Sequence, residues 1–208
     1  MKERNESLDC LKGIAILLVM FGHVQVHNHM TDTYLYDVIK SIQMPLFFLV
    51  SGYLAGKGTK IQSVEQFSVR MKKRAVAYLL PFFSWLVVQH LTYVPRALKT
   101  VLFQLDYGLW FLMTLFLFTL LAYAAQLIQN LWGRGKEIVF WVIWFLGCGV
   151  ILAAYLTGVI FLSPSILVIY LPYYTVAYFV GMHEDLVEKY APVRLQRWIA
   201  WVGGIVFF

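Results

Sequence analysis

The sequence predicts an all-α fold, a polytopic membrane helix bundle of about six complete transmembrane helices and a partial seventh. Three observations predict it. Of the 208 residues, 61% are hydrophobic and 13% charged, giving a mean hydropathy of +0.70, well above that of a soluble domain of this length. The apolar residues gather into stretches close to the ~20 residues that cross about 30 Å of hydrocarbon. The cations concentrate between alternate stretches, as the positive-inside rule requires of loops on one face of a bilayer.

The first stretch, 8–26, follows Lys2 and Arg4, but Glu3, Glu6 and Asp9 interrupt a basic leader and VMFGHVQVHNH has no small-x-small cleavage site, so it reads as a retained helix. HNHMTDTYLY, which holds no Lys or Arg, leads to 37–54. Within that stretch Pro45 predicts a kink, and Gly52 with Gly56 forms a GxxxG pair suited to close helix packing. GYLAGKGT lacks the spacing of a phosphate loop. Lys57, Lys60, Arg70, Lys72, Lys73 and Arg74 precede the third stretch, 75–94. The stretches 109–131, 138–156 and 166–182 follow, with Arg96 and Lys99 before the first of them, Arg134 and Lys136 before the second, and no cation before the third. Lys189, Arg194 and Arg197 lie between the sixth stretch and a short apolar run from Trp198 to Phe208, about half a span. The chain therefore reads as one membrane domain, 1–208, the N-terminal portion of a longer protein.

The cation distribution places the N-terminus in the cytoplasm and makes the formal net charge of +6 a topology signal. A nucleic-acid partner is not expected; the lipid bilayer is. Cys10 and Cys148 sit in apolar runs without metal-ligand spacing, and His27 and His29 have no third ligand at suitable spacing, so no metal is expected.

Ionisable residues inside spans are candidates for function because burying them in hydrocarbon is costly. At 100° per residue, the eleven steps from Lys12 to His23 return to within about 20° of one direction, and Asp9 lies about 60° from Lys12. These three share a stripe with Ile16 and Val19, and the stripe must face a bundle interior or a wet cavity. The bland alternative is that Asp9 and Lys12 snorkel to the surface and His23 is a bonded core histidine. A neutral imidazole accepts a proton near pH 7, which suits His23 to activating a hydroxyl as a general base, while Lys12 suits an anionic or carbonyl-bearing group. The second span runs antiparallel, bringing Ser51 near the level of Lys12, and Lys40 and Gln43 near that of His23. Arg70, Lys72, Lys73 and Arg74 read either as an anchor against anionic lipid or as a seat for a phosphate-rich donor. His90 is expected near the level of His23. The Trp and Tyr residues read as core or interfacial belt.

Four strings together resemble the acyltransferase-3 family of integral-membrane O-acyltransferases, particularly its fucose 4-O-acetylase-like branch. They are LDCLKGIAILLVMFGH, MPLFFLVSGYLAG, RMKKRAVAYLLPFF and LWFLMTLFLFTLL. The first carries a basic residue and a His separated by ten residues, at Lys12 and His23. The resemblance implies a bundle of about ten helices in the plasma (inner) membrane. It implies transfer of an acyl group, usually acetyl, from acetyl-CoA or another acyl-CoA to a hydroxyl of a carbohydrate, glycolipid or other cell-envelope molecule. The coenzyme is a donor substrate, and no bound cofactor is implied. By that likeness His23 is catalytic and Lys12 orients the donor, joined at the basic rim by Asp9, Ser51, Arg70, Lys73 and Arg74. Members of the family often pair two arginines three residues apart ahead of the third-helix proline; here Arg70 and Lys73 stand nearest to that pattern, and Ala77 and Tyr78 occupy the positions near Pro81. Two other readings remain open: a transporter or flippase using the Asp9, Lys12 and His23 stripe, and an inactive truncated product.

Overall fold

The computed structural model of the protein describes residues 6–89, 103, 109–132 and 134–190. Its elements are helical: α1 (Glu6–His27), α2 (Tyr34–Lys57), α3 (Val64–Gln89), α4 (Trp110–Leu131), α5 (Glu137–Leu156), α6 (Pro164–Met182) and the short α7 (Glu184–Tyr190). Five of them contain segments long and apolar enough to cross a membrane, at Cys10–His27, Tyr34–Lys57, Trp110–Leu131, Glu137–Leu156 and Pro164–Met182. The protein is a multi-pass membrane bundle. The third expected span differs in form. Its helix starts at Val64, ahead of the cations rather than after them, so Arg70, Lys72, Lys73 and Arg74 ride on the first turns of α3. The end of that span, His90 and the run from Trp198 lie outside the described residues.

Local chemistry explains the helix limits. Thr33 caps α2 by accepting a hydrogen bond from the Tyr36 N–H at 3.3 Å. Pro164 occupies the first turn of α6, where its missing N–H costs nothing. Pro45, Pro81 and Pro172 lie within helices that continue through them, as tolerated where neighbours resatisfy the backbone.

Packing forms an arc. α1 lies on α2, α2 on α6, α6 on α5, α5 on α4 and α4 on α3, with α2 and α6 also touching α4 inside the arc. The α2–α6 crossing is the most extensive contact among the described residues, and glycines set it. A Cβ at Gly52 would land on the Tyr174 carbonyl, one at Gly56 on the Tyr178 carbonyl, and one at Gly181 on the Tyr53 carbonyl. The GxxxG expectation is met, with Gly181 answering from the partner helix. Around this crossing an aromatic core is buried. Phe140 stacks on Tyr178 at 5.2 Å, and Trp144 stacks on Tyr174 and Tyr178 at 6.0 and 5.9 Å. The Trp144 indole N–H donates to Thr175 at 3.2 Å, satisfying the polar atom of the largest core side chain.

The segment joining α2 to α3 folds into one end of the bundle. Ile61 is fully buried; its N–H donates to Gln126 Oε1 at 2.9 Å, and its carbonyl accepts from Asn130. Gln126 also donates to the Tyr178 hydroxyl at 2.6 Å. α3 thus starts from a fixed point. At the same end Lys57 pairs with Glu184 at 2.5 Å, the Tyr53 hydroxyl donates to Glu184 at 2.6 Å, and His183 Nε2 lies 3.0 Å from Glu137. These contacts tie α2, α5 and α7 together.

Candidate functional site: three linked cavities

The two ends of the arc, α1 and α3, flank three cavities that share walls. The first, about 450 Å³, is lined by Gly58 and Thr59 from the loop, Arg70, Lys73, Arg74 and Ala77 from α3, Leu54 and Ala55 from α2, and Tyr123 from α4. The second, about 460 Å³, adds Lys12, Ala15 and Ile16 from α1, Phe47, Val50 and Ser51 from α2, Tyr78, Leu115, Thr119 and Tyr174, and keeps Leu54, Ala55 and Arg74 as common wall. The third, about 790 Å³, is lined by Ile16, Val19, Met20, His23, Val24, Val26 and His27 of α1 and by Asn28 just beyond it, together with Phe47, Trp85, Leu109 and Phe111. Ile16 and Phe47 are common to the second and third cavities. A passage therefore follows the α1 stripe, from a basic rim past Lys12 to His23.

The stripe holds this position because α1 buries little else. Ala15, Gly22 and Gln25 are its buried described residues, and Gly22 seats the Gln43 side chain of α2. Lys12, Ile16, Val19 and His23 sit beside that narrow contact face and open onto the cavities. Lys12 and Ser51, matched in level by the antiparallel course of α1 and α2, line the same chamber. Lys40 takes no part in the three cavities; it is exposed, with its ammonium 5.7 Å above the Tyr36 ring.

The basic rim is ordered rather than loose. Arg70 donates to the Thr59 carbonyl. Arg74, one turn later on the same face of α3, donates to the Tyr78 hydroxyl at 3.2 Å and to Tyr123 at 3.4 Å. Its guanidinium faces both the first and second cavities, so it marks the join between rim and chamber. The two arginines stand four apart, where a helix brings side chains to one face. Lys73 lines the rim while Lys72 faces away. Asp9 lies on α1, but its side chain is outside the described residues.

Chemically, the passage offers cations at one end and an imidazole in an apolar chamber at the other. The structure also supplies residues that spacing alone did not single out: Tyr78, Thr119 and Tyr174 around Lys12, and His27, Trp85 and Phe111 around His23. His27 stands one turn beyond His23, and that i, i+4 spacing is visible in the sequence. The aromatic and hydroxyl residues come from α3, α4 and α6, and no local pattern joins them. Among the described residues no cluster of three or more His, Cys, Asp or Glu side chains forms a metal-binding group.

Comparison with known proteins adds a family. A family model described as an acyltransferase domain matches residues 5–208. Nodulation protein NolL of Sinorhizobium fredii (strain NBRC 101917 / NGR234) is 35% identical over 88 residues, which cover 39% of this chain and 23% of NolL. The match thus spans less than a quarter of that relative's length. No solved structure matches the chain.

Proposed function

The chain belongs to the acyltransferase-3 family of membrane proteins, and from that premise we propose that it moves an acyl group, in the first instance acetyl, from acyl-CoA to a hydroxyl of a carbohydrate or other cell-envelope molecule. The observation that carries this reading is the continuity of the three cavities from Arg70, Lys73 and Arg74 past Lys12 to His23. The rim is the cytoplasmic end by its cations, and the membrane is the plasma membrane.

In this mechanism the phosphates of coenzyme A sit among Arg70, Lys73, Arg74 and Lys12, where charge-assisted hydrogen bonds are strongest. Ser51 flanks that seat. The pantetheine arm has about four residues' worth of backbone, roughly 14 Å when extended, and Lys12 and His23 are separated by about 16 Å along α1. Phosphates held near Lys12 therefore place the thioester within reach of His23. His23 removes the proton of the acceptor hydroxyl; the oxygen attacks the thioester carbonyl carbon, a C–O bond forms and the C–S bond breaks. The departing thiolate takes the proton that His23 holds, returning the imidazole to its neutral form.

Purified full-length protein, or cells expressing it, supplied with labelled acetyl-CoA should place label on carbohydrate. His23→Ala should abolish that transfer while the protein remains inserted in the membrane. Transfer undiminished in His23→Ala would remove the imidazole from the mechanism, and substrate flux without chemical modification would replace the enzyme by a transporter.

A further inference from the structure

The chamber around Lys12 contains a buried hydroxyl that the mechanism above leaves without work. Tyr174, on α6, is 1% exposed, and its hydroxyl has no hydrogen-bond partner among the described residues. It lies close to the Thr119 side chain, yet in no geometry that makes a hydrogen bond. Tyr174 and Thr119 both line the chamber that Lys12 enters from the opposite wall. Arg74, Tyr78 and Ser51 stand in the walls of the same chamber.

An orphaned hydroxyl in a bundle interior is costly, and this one is held in place from several directions. The backbone of Tyr174 rests against Gly52 of α2, with no room for a Cβ between them. Its ring packs on Phe118 at 5.3 Å and stacks on Trp144 at 6.0 Å. The ring cannot swing away to find a partner elsewhere, so a partner must come to it. The chamber opens at the seat for the phosphates, where Lys12 and Arg74 line it, and leads towards the imidazole that meets the thioester. The part of the donor that crosses it is the pantetheine arm, which presents amide carbonyls as acceptors.

We propose that the Tyr174 hydroxyl, with Thr119 beside it, donates a hydrogen bond to an amide carbonyl of the pantetheine arm of the donor. Tyr174 is thereby a donor-binding residue that sets how far the arm extends towards His23. This rests on the acyl-CoA reading above and adds to it a specific contact between rim and imidazole.

The test is binding to the full chain in detergent or nanodiscs, with two probes. Coenzyme A carries the arm; adenosine 3′,5′-bisphosphate carries the nucleotide end without it. Tyr174→Phe keeps the ring and its stacking and removes the hydroxyl, so thermal melting should be unchanged or slightly raised. Its affinity for coenzyme A should fall about tenfold, equivalent to about 1.4 kcal/mol, while adenosine 3′,5′-bisphosphate binds within about twofold of wild type. Thr119→Val, similar in shape and lacking the hydroxyl, should show the same arm-specific loss in smaller measure. Unchanged coenzyme A affinity in Tyr174→Phe overturns the proposal, as does an equal loss for both probes, which would mark a structural role. If wild type binds neither probe, the donor assignment itself falls and takes this contact with it; if wild type binds both and Tyr174→Phe is indistinguishable, the contact alone is wrong.

Discussion

Gly52→Ala tests the crossing that positions the whole passage. A methyl group at Gly52 meets the carbonyl oxygen, carbonyl carbon and Cα of Tyr174. All three are backbone atoms of a helix that is itself packed on α5, so no side-chain rotation relieves the clash. Restoring ordinary contact requires α2 and α6 to move apart by about 1 Å, and a gap of that size forfeits a quarter to a half of the dispersion attraction of each contact it opens. Overpacking of this kind costs about 1–3 kcal/mol. For a chain of this length that corresponds to a fall in melting temperature of roughly 3–10 °C. The control is Gly149→Ala on α5, where a Cβ meets nothing within 4 Å and alanine gains about 0.5–1 kcal/mol of helix propensity. Melting of both variants in one detergent, followed by tryptophan fluorescence, separates the two cases. A Gly52→Ala protein that melts with or above Gly149→Ala would refute the argument, since propensity would then outweigh a contact that does not exist.

Other expectations follow from the same packing. Gln126→Leu strips partners from the Ile61 N–H and the Tyr178 hydroxyl together, at about 2–4 kcal/mol; tryptic cleavage at Lys60 should speed up more than tenfold, and an unchanged rate would mean the loop is anchored by other contacts. Arg74→Gln removes the guanidinium shared by the first two cavities and should weaken coenzyme A binding about tenfold, with the dependence on salt reduced; affinity and salt response equal to wild type would take Arg74 out of the donor seat. Glu184→Gln breaks a pair whose side chains are each 29% exposed, so the melting temperature should shift by no more than about 1 kcal/mol requires; a collapse of the fold would show that the pair has been undervalued.

What could be read from the chain divides along a physical line. Lys12 and His23 were legible because charged groups in an apolar helix are conspicuous and their angular relation is fixed by helix geometry alone. Gly52 and Gly56 were legible for the same local reason, although Gly181, which completes the contact, needed the neighbouring helix. Tyr78, Thr119, Tyr174 and Gln126 were not, because in a membrane protein the surface is as apolar as the core. An aromatic on α6 that faces the bundle therefore looks the same in sequence as one that faces lipid. Tyr173 and Tyr174 illustrate this: the first is 37% exposed and the second 1%, and nothing in LPYYTV distinguishes them. The start of α3 was misplaced because hydropathy marks where a span becomes apolar, whereas its helix is nucleated earlier, at the loop that Gln126 and Asn130 hold.

The helix that carries Lys12 and His23 rests chiefly on one neighbour, α2. α1 meets α2 through a seam of Ala15, Gly22 and Gln25, whereas α6 is locked by glycines on one side and stacked aromatics on the other. A deeper seam would have drawn the neighbouring stripe into side-chain contact and filled the passage; a shallower one would have released α1. The small Gly22 seats the Gln43 side chain, while Lys12, Ile16, Val19 and His23 line the cavities beside that seam. Enlarging Gly22 should therefore disturb transfer before it disturbs folding, since a Cβ there meets the flexible end of Gln43 rather than backbone. The displaced amide and a small tilt of α1 would shift His23 relative to Trp85 and Phe111 across the cavity, and a misplacement of about 1 Å at a reacting group can cost on the order of a hundredfold in rate. Gly22→Ala with a wild-type melting temperature and a lowered turnover is the expected pairing; wild-type turnover would show that His23 tolerates movement its proposed role does not allow.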